Sequence, residues 1–230
     1  MKKFGRLALP TLGASALVIA SATAALASAT ITTVDGTPYT GEVRATNIGN
    51  VTLTGVSSLG PIITTCTNAT LDAYIESDGT GGELRDVVLS GCTNNRGGTT
   101  TITAIDLPYS GGQVDYAPVA GGRDSKLTIF APNPKAHVQA VLTLPALGIP
   151  SLTCHYGLTT STPLVLDLFA YDNANKPVPS NPHGQGQLLG QSLQRLPDPT
   201  PDSRCPTSVS ANGSFQVVAH PSGQDLVVGP

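Results

Sequence analysis

A repeat of two residues, not of 3.6, runs through this chain. In residues 71–76, 138–144, 164–171 and 215–220 apolar and polar side chains alternate, so that one apolar set falls on one face. Leu164, Leu166, Leu168 and Ala170 point together, as do Val138, Ala140, Leu142 and Leu144. Extended backbone sends successive side chains to opposite faces, and such a pattern suits a sheet packed on one side. Fainter strand patterns occupy residues 39–46, 50–56, 62–66, 83–89, 99–106, 113–116, 126–131, 151–156, 187–194 and 226–228. Beyond residue 30 no segment keeps a helical apolar period for three turns, because the 25 glycines and 19 prolines interrupt nearly every window of that length. Residues 187–196 admit a short helix as readily as a strand. The expected class is all-β: an antiparallel β-sandwich or a barrel-like fold, with many short strands separated by turns. Residues 173–186 and 196–206 carry too many prolines to be central strands and read as loops.

The N-terminus reads as a cleavable secretory signal peptide over residues 1–29. Lys2, Lys3 and Arg6 form a charged start, an apolar stretch follows to about Ala25, and small-x-small sites end at Ala27 and Ala29. No later apolar run approaches the roughly 20 residues of a membrane span. The remaining chain, 30–230, is expected to be one secreted all-β domain without a membrane span. Removing residues 1–29 takes away three basic residues and no acidic one, so the net charge moves from −3 to −6. An acidic chain without a Lys/Arg cluster lacks the footprint that phosphate backbones require, and no nucleic-acid partner is expected.

The four cysteines, Cys66, Cys92, Cys154 and Cys205, are even in number in a chain bound for an oxidising compartment, and are expected to form disulfides. Of the three possible connectivities, nearest-neighbour pairing is the expected one. No C-x-x-C spacing supports a zinc site. One internal echo stands out: Leu59-Gly60-Pro61 leads to Thr65-Cys66, and Leu147-Gly148-Ile149-Pro150 leads to Thr153-Cys154, 88 residues later. It is either an old duplication, giving β-subdomains of about 30–120 and 121–230, or a shared turn-strand-cysteine grammar.

Few residues suggest chemistry. The run Gly190-Gln191-Ser192-Leu193-Gln194 begins like a nucleophile elbow but lacks its second glycine. His137, His155, His183 and His220 are scattered; His155 follows Cys154, but neighbouring strand residues face opposite ways. Oxygen-bearing side chains in the turns at residues 76–83 and 172–175 do not follow the spacing of a dedicated calcium loop. Tyr39, Tyr109, Tyr116 and Tyr171 are the candidates for a sugar-stacking surface in a chain with no tryptophan. No catalytic residue, metal ligand or cofactor is assigned.

The strand into Ile63-Thr64-Thr65-Cys66-Thr67-Asn68-Ala69-Thr70, then Leu89-Ser90-Gly91-Cys92-Thr93, carry a likeness that continues through Leu107-Pro108-Tyr109. Leu152-Thr153-Cys154 and Cys205 followed by Gly213-Ser214-Phe215-Gln216-Val217 complete it. On these residues the chain resembles a large group of uncharacterised secreted β-rich proteins of actinobacteria, which often have Leu-Pro-Trp at the third position. It is more distantly similar to secreted bacterial proteins described as activators of alkane oxidation. The resemblance implies a β-rich, disulfide-bonded exoprotein and transfers no catalytic residue. The expected function is a secreted or cell-envelope-associated, non-catalytic β-sandwich protein with a binding or structural role. A secreted hydrolase with a Ser/His/Asp site and an extracellular module for an apolar or glycan ligand are the alternatives. The hydrolase requires a histidine within hydrogen-bond reach of a serine and a carboxylate; the binding module requires an apolar or Tyr-lined concavity.

Overall fold

Each alternating segment forms a strand. The computed structural model describes residues 27–159, 162–197 and 202–230, so the charged and apolar parts of the expected leader, in residues 1–26, lie outside the described residues. In chain order the strands are β1 (Ala27–Ser28), β2 (Thr30–Thr33), β3 (Gly41–Ser57), β4 (Gly60–Ile75), β5 (Gly82–Asn94), β6 (Thr100–Ile105) and β7 (Tyr109–Tyr116). Then come β8 (Ser125–Ile129), β9 (Asn133–Leu144), β10 (Ile149–Leu158), β11 (Leu164–Phe169), β12 (Gln185–Arg195), β13 (Ser208–Ala219) and β14 (Leu226–Gly229). A 3₁₀ turn at Pro145–Leu147 is the only helical geometry among the described residues, and no helix among them is long and apolar enough to cross a membrane.

The sheet closes on itself, which decides between sandwich and barrel in favour of the barrel. Three routes of hydrogen-bonded strands connect β12 to β5: one through β13, β3 and β4, one through β10, β9 and β6, and one through β11, β8 and β7. The first route consists of long strands, and the other two are stacked against it. On β12, Gln185–Gln187 pair with β11 while Gln194 and Arg195 pair with β10. On β5, Gly82–Leu84 pair with β7 while Val88 pairs with Thr103 of β6. The result is an antiparallel barrel with eight strands around each half. Here the half closed by β7, β8 and β11 is called lower, and the half closed by β6, β9 and β10 upper. Strands from before and after residue 120 are hydrogen-bonded side by side, as β13 is to β3.

The long strands explain why the sequence shows shorter ones. Residues 39–46 and 50–56 read as two strands, yet both belong to β3, whose register shifts between Thr46 and Val51. At that irregularity the Asn47 side chain replaces ladder bonds: its Nδ2 donates to the Thr67 carbonyl (2.9 Å) and its Oδ1 accepts the Ala69 N–H (2.7 Å). The alternation breaks there while the pairing continues. Residues 62–66 and 71–75 are likewise both parts of β4.

Side chains sort as the alternation requires. The upper core is filled by Ile62, Leu142, Leu144, Leu152, Cys154 and Tyr156, with Leu144 fully buried. Arg44 and Asp72, opposite each other on β3 and β4, form a two-pronged pair (2.6 and 2.7 Å) that holds the Asp72 carboxyl below the usual carboxylate range.

Both disulfides have the nearest-neighbour connectivity. Cys66 and Cys92 are directly paired residues of β4 and β5, with Cα atoms 3.9 Å apart. Cys154 of β10 joins Cys205 in the proline-rich loop before β13, Cα to Cα 5.7 Å, and so fastens that loop to the upper core. The two halves meet at Tyr109. Its buried hydroxyl accepts the Ile105 N–H (3.1 Å) and reaches the carbonyls of Ile105 (2.7 Å) and His137, one of which takes its proton. The first residue of a lower strand is thereby tied to β6 and β9 of the upper half, and burial pushes the phenol pKa up.

Two outcomes follow from this arrangement. The bridges close segments with sequence separations of 26 and 51 residues, which in the chain-entropy description contribute about 3.5 and about 4 kcal/mol. Replacing Cys154 and Cys205 together by alanine is therefore expected to lower the urea unfolding free energy by about 4 kcal/mol, and alkylation before reduction should label no thiol in the wild-type protein. Tyr109→Phe leaves the Ile105 N–H and a strand carbonyl without a partner and should cost about 1–3 kcal/mol in the same measurement.

Candidate functional site

The two barrel halves differ in what fills them. In the upper half, Leu142, Tyr156 and Leu193 meet across the interior and leave a gap of only about 60 Å³. In the lower half the inward positions of β3 and β4 are Val43, Ala45, Leu71, Ala73 and Ile75, too short on the β3 side to reach the opposite wall. The facing wall is Val114 of β7, Leu127 and Ile129 of β8, and Leu164, Leu166 and Leu168 of β11. A cavity of about 280 Å³ remains between them. An eight-stranded barrel is just wide enough either to be packed solid or to hold one small ligand, and residue size selects the outcome. Close backbone approach completes the wall where β5 meets β7: a Cβ built on Gly82 would lie 2.5 Å from the Gly112 carbonyl oxygen, so only glycine fits.

One end of the cavity is covered by a ribbon made from the two ends of the described fold. Strands β2 and β14 pair as a separate two-stranded sheet and send Ile31, Leu226 and Val228 into the cavity wall. The Ile31 N–H donates to the Ser77 carbonyl (2.7 Å). Asp225, just before β14, secures the other strand: its Oδ1 accepts the Gly184 N–H (2.9 Å), and its Oδ2 lies 3.2 Å from Nδ1 of His183. Ala29, one of the two small residues expected to precede cleavage, is 2% exposed and packs with Ile31, Ile75 and Val114. Ala27, the other, lies in β1 opposite Tyr116 of β7.

Polar groups around the cavity have partners of their own. The fully buried Gln185 spends both ends of its amide on Val178, accepting its N–H (2.9 Å) and donating to its carbonyl (2.8 Å). Asp124 accepts the Ala170 N–H (2.7 Å) and the Asn173 amide (2.8 Å). Glu83 pairs with Arg85 (2.8 Å), whose guanidinium lies 4.5 Å over the Tyr74 ring. Apart from the Ser125 side chain, what stays available to a guest is mostly hydrocarbon.

Of the remaining candidates, only His137 and His155 come together. Cys154 is 1% exposed in the upper core and bonded to Cys205, while His155 faces the other way, as strand geometry requires. There it meets His137, Nε2 to Nδ1 2.8 Å, with Asp106 3.9 Å from the far nitrogen of His137 and Gln139 3.5 Å from Nε2 of His155. An N–H···N contact of this kind needs one donor and one acceptor, so it links the rings only while they are not both fully protonated. His183 is committed to Asp225, and the His220 N–H donates to the Glu42 carbonyl (2.8 Å). Tyr109 is buried at the seam, and Tyr39, Tyr116 and Tyr171 are half-buried, so the four rings form no common exposed platform. The oxygen-bearing turns use their oxygens on themselves: Asp78 accepts the Thr80 hydroxyl (2.6 Å) and N–H (2.9 Å), and Asn173 Oδ1 accepts the Asn175 N–H (2.7 Å). Among the described residues no group of three or more His, Cys, Asp or Glu side chains is placed to hold a metal ion.

Sequence reasoning missed the Asp225–His183 tie and the cavity itself. The signal for the cavity was present in Ala45 and Ala73, small residues on inward faces, but nothing in the sequence says what stands opposite them. Comparison with family models, with curated proteins and with solved structures returned no match for this chain. The class defined by fold and site is an eight-stranded antiparallel barrel with an apolar space in one half of its interior.

The tie at Asp225 generates its own test. Asp225→Ala strips the Gly184 N–H and His183 of their carboxylate and is expected to destabilise the fold by about 1–3 kcal/mol. Amide hydrogen exchange should accelerate in β14 and β2 more than in β4.

Proposed function

We propose that this protein is an exported binding protein that holds an apolar small molecule in the lower half of its barrel. The observation that carries the reading is the cavity of about 280 Å³ with aliphatic walls. Protein interiors are packed as densely as organic crystals, with few voids larger than a water molecule. Apolar space left unfilled by side chains costs stability, because its lining loses dispersion contacts. Water does not relieve that cost, because the walls offer it almost no polar partners, and an apolar cavity of about 150 Å³ already suffices to bind benzene. A guest of matching chemistry recovers both the lost dispersion contacts and the transfer free energy.

Export supports the same reading. The leader-like residues 1–29 direct the chain outward, and two disulfides suit an oxidising compartment. An apolar molecule outside the cell is poorly soluble and gains from a carrier. Binding requires no catalytic step, and the histidine–carboxylate pair nearest the cavity, His183 with Asp225, is engaged in holding the covering ribbon.

The test uses N-phenyl-1-naphthylamine, an uncharged probe that fluoresces in apolar surroundings. Saturable one-to-one binding is expected, with a Kd on the order of micromolar. Ala73→Phe, which places a ring in the cavity, should weaken it at least tenfold without lowering Tm. Val88→Phe, on an exposed position of β5, should leave it unchanged. Equal binding by all three proteins rules out the cavity as the site.

A further inference from the structure

We propose that the cavity selects uncharged ligands and rejects an ionic head group of either sign; this rests on the cavity being the binding site. Among the described residues lining it there is no lysine, arginine or histidine. An anionic head would enter a space with no cation to meet it, near the carboxylates of Asp124 and Glu83. A cationic head fares no better, since the Oδ2 of Asp124 is already engaged by the Ala170 N–H and the Asn173 amide, and Glu83 is paired with Arg85.

Cations on and beside β8 are spent on carboxylates of neighbouring strands. Lys126 lies 3.7 Å from Asp115 on β7, and Arg123 is 2.9 Å from Asp167 on β11. Both sit on strands whose other face lines the cavity or immediately beside one, so their side chains reach it only by abandoning a partner. Burying an ion without a partner costs several kcal/mol even after relaxation, far more than a short chain gains per added methylene. An unpaired hydroxyl or ester costs much less. Ser125, 1% exposed and part of the cavity wall, is the polar side chain placed to meet such a neutral group. The class of ligand is thus a neutral hydrocarbon chain or ring system with at most one weakly polar end.

Competition against bound N-phenyl-1-naphthylamine at one neutral pH tests this with three eight-carbon compounds: octan-1-ol, octanoate and octylammonium. Octan-1-ol is expected to displace the probe, and both ions to need at least tenfold higher concentration. Displacement by either ion at the concentration of octan-1-ol overturns the selectivity while leaving the cavity as the binding site. Failure of the probe itself to bind overturns both readings together. Ser125→Lys supplies a cation inside the wall, and should narrow or reverse the preference toward octanoate without improving octylammonium. If that variant folds and the octanoate ratio stays as in the wild type, charge is not what discriminates and the proposal fails; the wild-type ratios decide the matter if it does not fold.

Discussion

Closure of the backbone hydrogen-bond ladder is the constraint on which the rest of this structure depends. An antiparallel sheet left open exposes a row of unpaired N–H and C=O groups at each edge, and these must be covered or joined. Here β12 and β5 each carry two different neighbours along their length on one side, so that one set of long strands serves two short walls. Tyr109 bridges the walls where they abut, and Gly82 and Gly112 allow β5 and β7 to approach closely enough to pair. The eight strands around each half then form a ladder that closes on itself.

Closure also produces an interior whose width is set by strand number and not by what fills it. Side chains must adapt to a fixed diameter. In the upper half they do so with leucines, a tyrosine and a disulfide, and only a small gap is left. In the lower half Ala45, Ala73 and Val43 stand where larger residues would be needed, and the same geometry leaves a hollow. The contrast within one barrel matters: both halves share five strands and differ in the volume of a few inward residues. Function is read from that difference in filling, since the fold alone hosts many tasks.

The strand pattern was legible because burial on one face imposes period two whatever the strand pairs with. Leu71, Ala73 and Ile75 form one inward set, Leu164, Leu166 and Leu168 another, and both line the same cavity, as the alternation implies for a shared face. Strand length was less legible. At Asn47 a side chain substitutes for ladder bonds, so alternation stops while the strand goes on, and β3 reads as two pieces. The disulfide pairing was legible only as one of three connectivities. It is fixed in space by the register of β4 on β5, and by the loop that carries Cys205 folding onto β10.

By itself, then, the sequence determined that this chain forms antiparallel strands with one apolar face, punctuated by turns, stapled by cysteines and preceded by a leader-like segment. These properties follow from local causes: side-chain alternation, the backbone preferences of glycine and proline, and the charge and apolarity of a short terminal stretch. Only the tertiary structure decided that the sheet closes, that residues as distant as Val43 and Leu168 face one another, and that the space between them is empty of side chains. It alone brought Asp225 to His183 and Gly184. A cavity is a relation between opposite walls, and volume across a gap depends on pairing partners far apart in the chain, which no local pattern encodes.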